Sequence, residues 1–301
     1  MKPAPLKPGD TIGVMAPSST VERKDIEKSA ALLEKKGFKV FVHPQTYERN
    51  NQSAGTHLQK TLALQGLWQR ADITAIWAAG GGNRAMHILD SINFEAMKRK
   101  PKILIGFSDV TALLNAVTAH TGIPTVHGPV FKNLSGYKQL DQLLGLLAGK
   151  KTSYPWGKMK ILNPGKAKGP LIGGNLSIFQ YLPRTLPGEF WKGSLLFLED
   201  CGEELSRIDR MLLHLRRTGV LNDAAGIIMG QFTDMKDTGR PFGFKLEEII
   251  REHTESFDGP VVMNAPFGHA KDLYAFPIGV EAALDTKKQS FKLVQSFTAT
   301  N

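Results

Sequence analysis

The sequence predicts an α/β protein, with a parallel, doubly wound sheet first and then a smaller β/α domain that finishes in antiparallel strands. Three observations lead there. Strand-like and helix-like stretches alternate through the first half, the pattern loosens into Gly, Pro and Lys across 134–168, and the C-terminal stretch alternates at period two.

In chain order, "TIGVMA" (11–16) is an apolar run ending at Pro17-Ser18-Ser19, and "ERKDIEKSAALLEKKG" carries apolar residues at helical spacing up to the stop at Gly37. "KVFVHP" is the next strand, 55–70 the next helix, "DITAIWAA" the third strand and "NRAMHILDSI" a short helix. "KILIGF" is then a strand, and "DVTALLNAVTAHTG" a helix closed by Gly122. Within the loosened region only "LDQLLGLLAG" looks helical, so the expected organisation is a first domain over 1–140, a basic linker over 141–168 and a second domain over 169–301. In that second domain "GPLIGG", "SLLFLED", "AAGIIMG" and "GPVVMNAP" read as strands, with helices near 175–181, 205–217 and 244–253. "AFPIGVEAAL" and "QSFKLVQS" read as an antiparallel pair around "DTKKQ".

Composition narrows the function classes. The chain has 301 residues, 42% hydrophobic and 22% charged, enough for a sizeable buried core. It has no signal-like stretch at its start and no apolar run near the roughly 18 residues that span a bilayer, so a soluble, cytoplasmic protein without membrane contact is expected. The single cysteine, Cys201, excludes an internal disulfide framework and a Cys-rich zinc site, and neither CxxC nor HExxH occurs, so neither a metal nor another cofactor is expected. The net charge of +10 suits an anionic partner. Residues 131–170 hold eight lysines against one acid, Asp141, but these are scattered singly, with no Arg-rich helix and no stacking aromatics. A solvated basic segment that steers a small anionic substrate fits better than a nucleic-acid surface.

In open α/β sheets sites lie beyond the carboxyl ends of the strands. Four such ends carry chemistry. Gly106-Phe107-Ser108-Asp109 reads either as a helix cap or as a nucleophile on a sharp strand-to-helix turn; the tetrapeptide alone favours the cap, because Thr111 stands where G-x-S-x-G has glycine. "AAGGGNR" lets backbone N–H groups approach a phosphate or oxyanion, or is simply a tight turn; it is neither a dinucleotide fingerprint nor a P-loop. Glu199-Asp200 can orient a histidine or cap the following helix, and Cys201 beside them reads as a small filler. His269 lies in a Gly- and Pro-rich loop suited to a general base, in a chain with eight histidines. Together Ser108, Glu199 and His269 follow the nucleophile, acid, base order of α/β-hydrolases.

Those stretches, with "KPGDTIGVMAPSS", "IGFSD", "HGP", "GGNLS", "LFLEDCGEE" leading to "RIDRML", and "PFGHA" leading to "FPIG", make the chain resemble the LD-carboxypeptidase family of S66 serine peptidases over nearly its whole length. The resemblance implies a flavodoxin-like N-terminal sheet and a smaller C-terminal β/α domain. It implies Ser108 as nucleophile, Glu199 as the orienting acid and His269 as general base. Its oxyanion hole would be the N–H of Asp109 with that of Gly81 or Gly82, and Arg84, Asn175 and Arg207 would contact substrate carboxylates. No cofactor or metal is implied. The implied substrate is an anionic peptide, the murein tetrapeptide of peptidoglycan recycling, cut before its terminal D-alanine by a cytoplasmic homodimer. The chain departs from the family at "AAGGGNR", where many members read R-G-G-Y-G, and at Ser206, where many carry tyrosine. Both departures bear on the substrate, and leave an aminoacyl- or peptidyl-nucleotide, as for the microcin-immunity members, as the alternative. A non-catalytic binder of anionic peptides is the rival from a different class, and a nucleotide-dependent oxidoreductase lacks its fingerprint.

Overall fold

The structure, a computed structural model, describes residues 1–270 and 273–299. Its strands in chain order are β1 (Thr11–Met15), β2 (Lys39–Val42), β3 (Ile73–Ala78), β4 (Ile103–Gly106), β5 (Thr125–His127), β6 (Ser153–Tyr154), β7 (Lys160–Asn163), β8 (Lys166–Asn175), β9 (Leu195–Cys201), β10 (Gly226–Thr233), β11 (Val261–Met263), β12 (Phe276–Ile278), β13 (Glu281–Asp285) and β14 (Ser290–Leu293). They form two sheets in two compact units. One unit is Met1–Lys151 with Ala275–Gly279 and the chain from Ser296 onward; the other is Thr152–Tyr274 with Val280–Gln295.

The first unit's sheet runs β12-β5-β4-β3-β1-β2. The order 2-1-3-4-5 of its parallel strands is the flavodoxin-like one, and β12 pairs antiparallel to β5 at the edge. Residues such as Ile12, Val14, Ile76, Trp77, Leu104 and Ile105 are fully buried, which is why these strands read as continuous apolar runs. Helix His57–Gln69 starts at a capping box: the Gln59 N–H donates to Thr56 Oγ1 at 3.2 Å and the Thr56 N–H to Gln59 Oε1 at 2.8 Å. In this order the chain leaves β1 for one neighbour and β3 for the other side of the sheet. The point between β1 and β3 where the strand order reverses is where such sheets place their sites.

The second unit's sheet runs β6-β14-β13-β8-β9-β10-β11-β7. Its central four strands are parallel, and antiparallel strands flank them on both sides. Helix Leu205–Arg217 buries Ile208, Met211, Leu212 and Leu215, an apolar stripe at helical spacing. Gly173 of β8 is imposed by the backbone of β9: a Cβ on it, at φ +140°, would stand 1.8 Å from the Phe197 carbonyl oxygen.

Two expectations are corrected. The stretch 141–168 is not a linker: helix Leu140–Leu147 buries Leu140, Leu143, Leu146 and Leu147 in the first unit, and the rest supplies β6, β7 and the start of β8 to the second. Its lysines are partly neutralised by acids of the second unit, Lys160 with Glu247 at 2.6 Å, Lys166 with Asp285 at 3.3 Å and Lys168 with Glu281 at 2.9 Å. "AFPIGVEAAL" is not one strand either. Gly279, at φ +82°, breaks it into β12, which joins the first sheet, and β13, which joins the second. Among the described residues no helix is long and apolar enough to cross a membrane.

Gly173→Ala is expected to lower the unfolding free energy by roughly 3 kcal/mol or more, since the added methyl meets backbone, which cannot move aside as a side chain can. Urea unfolding of the variant against the parent checks it.

Candidate active site

Ser108 stands directly after the turn at the end of β4. Gly106 is required there, since a Cβ on it would lie 2.4 Å from Val110 Cγ1. Ser108 itself has φ +60°, a left-handed backbone that non-glycine residues adopt at a cost of about 1–3 kcal/mol. It opens a short 3-10 turn, Ser108–Val110, before helix Thr111–Thr121. That helix is capped by Val110 with no side-chain bond, so neither Ser108 nor Asp109 serves as its cap. The glycine loop after β3 lies against the serine: a Cβ on Gly81 would be 3.2 Å from Ser108 Cβ and 3.6 Å from its Oγ. Gly82, at φ +117°, is equally constrained, because a Cβ there would be 2.2 Å from Ser19 Oγ. Only glycines let this loop lie so close to the serine and to the loop after β1.

The carboxylate of Asp109, expected to matter only through its backbone N–H, has a task of its own. Buried at 3% exposure, its Oδ2 accepts from Ser18 Oγ at 2.7 Å and from the Ala85 N–H at 2.8 Å. One oxygen thus ties together the loops that follow β1, β3 and β4. Lys60, fully buried on helix His57–Gln69 with no hydrogen-bond partner for its ammonium, lies within the field of this carboxylate. Burial pushes the Lys60 pKa down to about 8, with Asp109 opposing the fall and Arg84 adding to it.

In the second unit β9 is buried along "LLFLED" and delivers Glu199, with 0% exposure, to its end. Glu199 Oε2 lies 2.7 Å from His269 Nδ1. A carboxylate on Nδ1 holds the proton there and leaves Nε2 as the basic nitrogen. Gly268, at φ +120°, brings the histidine loop onto the sheet, where a Cβ would be 2.8 Å from Gln231 O and 3.1 Å from Glu199 Cβ. Burial draws the His269 pKa down, but hydrogen bonds with the side chains of Cys201 and Glu199, and the charge of Glu199, outweigh it and hold the imidazole well above its ordinary range. Lys271 and Asp272, further along this loop, lie outside the described residues.

Asp200 does not cap the helix after it. It accepts from the N–H groups of Ser177 (2.9 Å) and Cys201 (2.8 Å) and from Asn175 Nδ2 (3.1 Å). Burial, with Glu199 adjacent, lifts its carboxyl to about 6 in spite of those donors. Asn175, at the end of β8, also reaches Glu199 Oε1 at 3.4 Å, so it braces the acid of the His–Glu pair. Of the two arginines named as substrate contacts, Arg207 is engaged by Glu203 at 3.1 Å, whereas Arg84 points Nη2 at His57 Nε2, 2.9 Å away. Sequence reading passed over Ser18, Lys60 and His57. For Lys60 the signal was there: it shares the buried side of its helix with Ala63, Leu64 and Leu67, a place for an apolar residue. Among the described residues no group of three or more His, Cys, Asp or Glu side chains is placed to hold a metal ion.

Two family models match the chain, the LD-carboxypeptidase N-terminal domain over residues 12–128 and the LD-carboxypeptidase C-terminal domain over 168–284. A probable murein peptide carboxypeptidase of Bacillus subtilis is 33% identical over 303 residues, which cover 96% of this chain and 93% of that one. The microcin C7 self-immunity protein MccF of Escherichia coli is 26% identical, over 99% of this chain and 96% of its own. Among solved structures, a muramoyltetrapeptide carboxypeptidase from Oxalobacter formigenes superposes with a TM-score of 0.84 at 26% identity, covering 94% of this chain and 97% of that one.

The left-handed backbone at position 108 makes a stability prediction independent of any activity. Ser108→Gly is expected to be about 1 kcal/mol more stable than Ser108→Ala, because only glycine relieves the strain. Equal denaturation midpoints for the two variants would contradict the strained turn.

Proposed function

The chain belongs to the LD-carboxypeptidase family of S66 peptidases, and from that premise we propose that it is a serine carboxypeptidase releasing the terminal D-alanine of a murein tetrapeptide. The observation that carries this reading is the strained, uncapped Ser108 with the Gly81 backbone against its side chain. Strain at a residue that caps no helix is what a nucleophile on a sharp strand-to-helix turn requires.

In this reading His269, oriented through Nδ1 by Glu199, takes the Ser108 proton on Nε2 while Oγ attacks the scissile carbonyl. The N–H groups of Asp109 and of Gly81 or Gly82 hold the tetrahedral oxyanion. Collapse breaks the peptide bond, His269 returns the proton to the departing D-alanine amine, and water then releases the acyl group by the same route. Asn175 steadies Glu199, and in this reading Asn175, Arg84 and Arg207 meet substrate carboxylates, Arg207 from its pairing with Glu203. The same reading carries a place in peptidoglycan recycling, a cytoplasmic location and a homodimer. A second reading, hydrolysis of an aminoacyl- or peptidyl-nucleotide, is favoured by the glycine-loop sequence "AAGGGNR" and by similarity to the microcin C7 self-immunity protein.

Mass spectrometry of tetrapeptide and peptidyl-nucleotide incubated with the protein separates the two readings. Ser108→Ala is expected to cut D-alanine release by about a thousandfold or more while the chain stays folded. Retained release removes Ser108 from the mechanism.

The protonation state of His269 sets the pH profile. The base must be neutral, and its folded pKa lies above 6.5, so kcat/KM rises with pH through that higher value. Glu199→Gln removes the anion that favours the imidazolium. The limb then moves to lower pH, and kcat falls by roughly a hundredfold to ten-thousandfold. An unmoved limb in this variant would show that another group sets the profile.

A further inference from the structure

Beside the glycine loop, and wholly within the first unit, lies a polar cavity of about 470 Å³ lined by Asn50, Gln52, Thr56, His57, Asn83 and Arg84 among others. Of this lining, the proposed hydrolysis calls on Arg84 alone. Its walls are tied to each other and to the loop after β1: Asn83 Nδ2 donates to Gln52 Oε1 at 3.3 Å, and the Asn83 N–H donates to Ser19 Oγ at 3.2 Å. Arg84 follows Gly81 by three residues, so its Cα is at most about 10 Å away along the chain.

The charges around the cavity are unbalanced. Arg84, exposed and held at φ +76°, has a histidine for its side-chain partner and, among the described residues, no carboxylate. The ring of His87 stands 5.0 Å from that of His57. Burial, then the charges of Arg84, His87 and Lys60, lower the His57 pKa, as expected where positive groups crowd together. Lys60 is buried with an unbonded ammonium, and the acid it feels, Asp109, already accepts two hydrogen bonds on one oxygen. The N-terminus of helix His57–Gln69, 13 residues long, adds its positive end at Thr56 and His57, both in the cavity wall. Like charges gathered round an open polar hollow are relieved by an anion.

Resting on the carboxypeptidase reading above, we propose that this cavity is a subsite for an oxyanion carried by the substrate, one or two residues from the scissile carbonyl, with Arg84 and the His57 helix terminus as its main contacts. A carboxylate of a peptide and a phosphate of a nucleotide share this chemistry. Arg84 is then a specificity residue, while Lys60 keeps the hollow positive without touching the ligand.

The test compares three substrates: a tetrapeptide with free side-chain carboxylates, the same peptide with those carboxyls amidated, and a peptidyl-nucleotide. The parent protein is expected to prefer one of the two anionic substrates over the amidated peptide, which tells a carboxylate from a phosphate. Arg84→Gln is expected to raise KM for that substrate about 10- to 100-fold and to raise it far less for the amidated peptide, so the preference collapses. A variant that keeps the parental preference overturns the proposal. Should Arg84→Gln fold poorly, the parent chain supplies the second readout. Its His57 titration, followed by NMR, is expected to move up by about half a unit or more on adding the preferred anionic ligand, and no movement with either anion overturns the subsite. If the parent hydrolyses none of the substrates, the carboxypeptidase reading fails, and the titration still decides the subsite.

Discussion

A single buried oxygen, Oδ2 of Asp109, holds the first unit's site together. Ser18 and Ala85 both donate to it, and through them the loops after β1, β3 and β4 become one body. Hydrogen bonds to a charged acceptor contribute about 1.5–3 kcal/mol each when buried, which is enough to offset the 1–3 kcal/mol or so of strain in the neighbouring left-handed serine. The glycines at 81 and 82 are the steric condition for this closeness, and the buried Lys60 ammonium, which feels the field of this carboxylate, is its electrostatic companion. Strand geometry brings the loops to the same end of the sheet. The carboxylate decides how they stand once there.

The second unit solves a similar problem by different means. Glu199 has no exposure at all, and its charge is met by an imidazole on one oxygen and an amide on the other. The amide belongs to Asn175, which is paired with Glu199 in the parallel register of β8 and β9, and that register depends on Gly173 letting the two backbones touch. Asp200, next along, is spent on fixing the start of helix Leu176–Phe179 and the turn at Cys201. Two adjacent acids at one strand end therefore divide the work, one facing a titratable base and the other facing backbone.

Much of this was legible in the residues. Parallel strands buried on both faces announce themselves as apolar runs, and helix 205–217 is visible from its apolar spacing alone. The places of Ser108 just past β4 and of Glu199 near the end of β9 follow from the same reading, while His269 lies in the loop beyond β11. What escaped was whatever depends on partners distant in sequence. Asp109 looks like a helix-capping acid until Ser18, ninety-one residues earlier, is folded against it. The lysines of 141–168 look like a solvated linker because the acids that meet them lie at 247, 281 and 285. Gly279 reads as one more turn-former inside a strand, and nothing local tells that the strand changes sheets there.

That change of sheet has a consequence for how such a protein can arise and be taken apart. The chain leaves the first unit after Lys151, returns for β12, leaves again at Val280 and comes back at Ser296. A gene cut between the two halves would yield a first piece lacking β12, with the hydrogen-bonding edge of β5 left bare and prone to pair with other chains. Neither half is therefore a module to be shuffled into another protein by simple recombination. Where the two family domains meet in sequence is therefore not where the first sheet is complete.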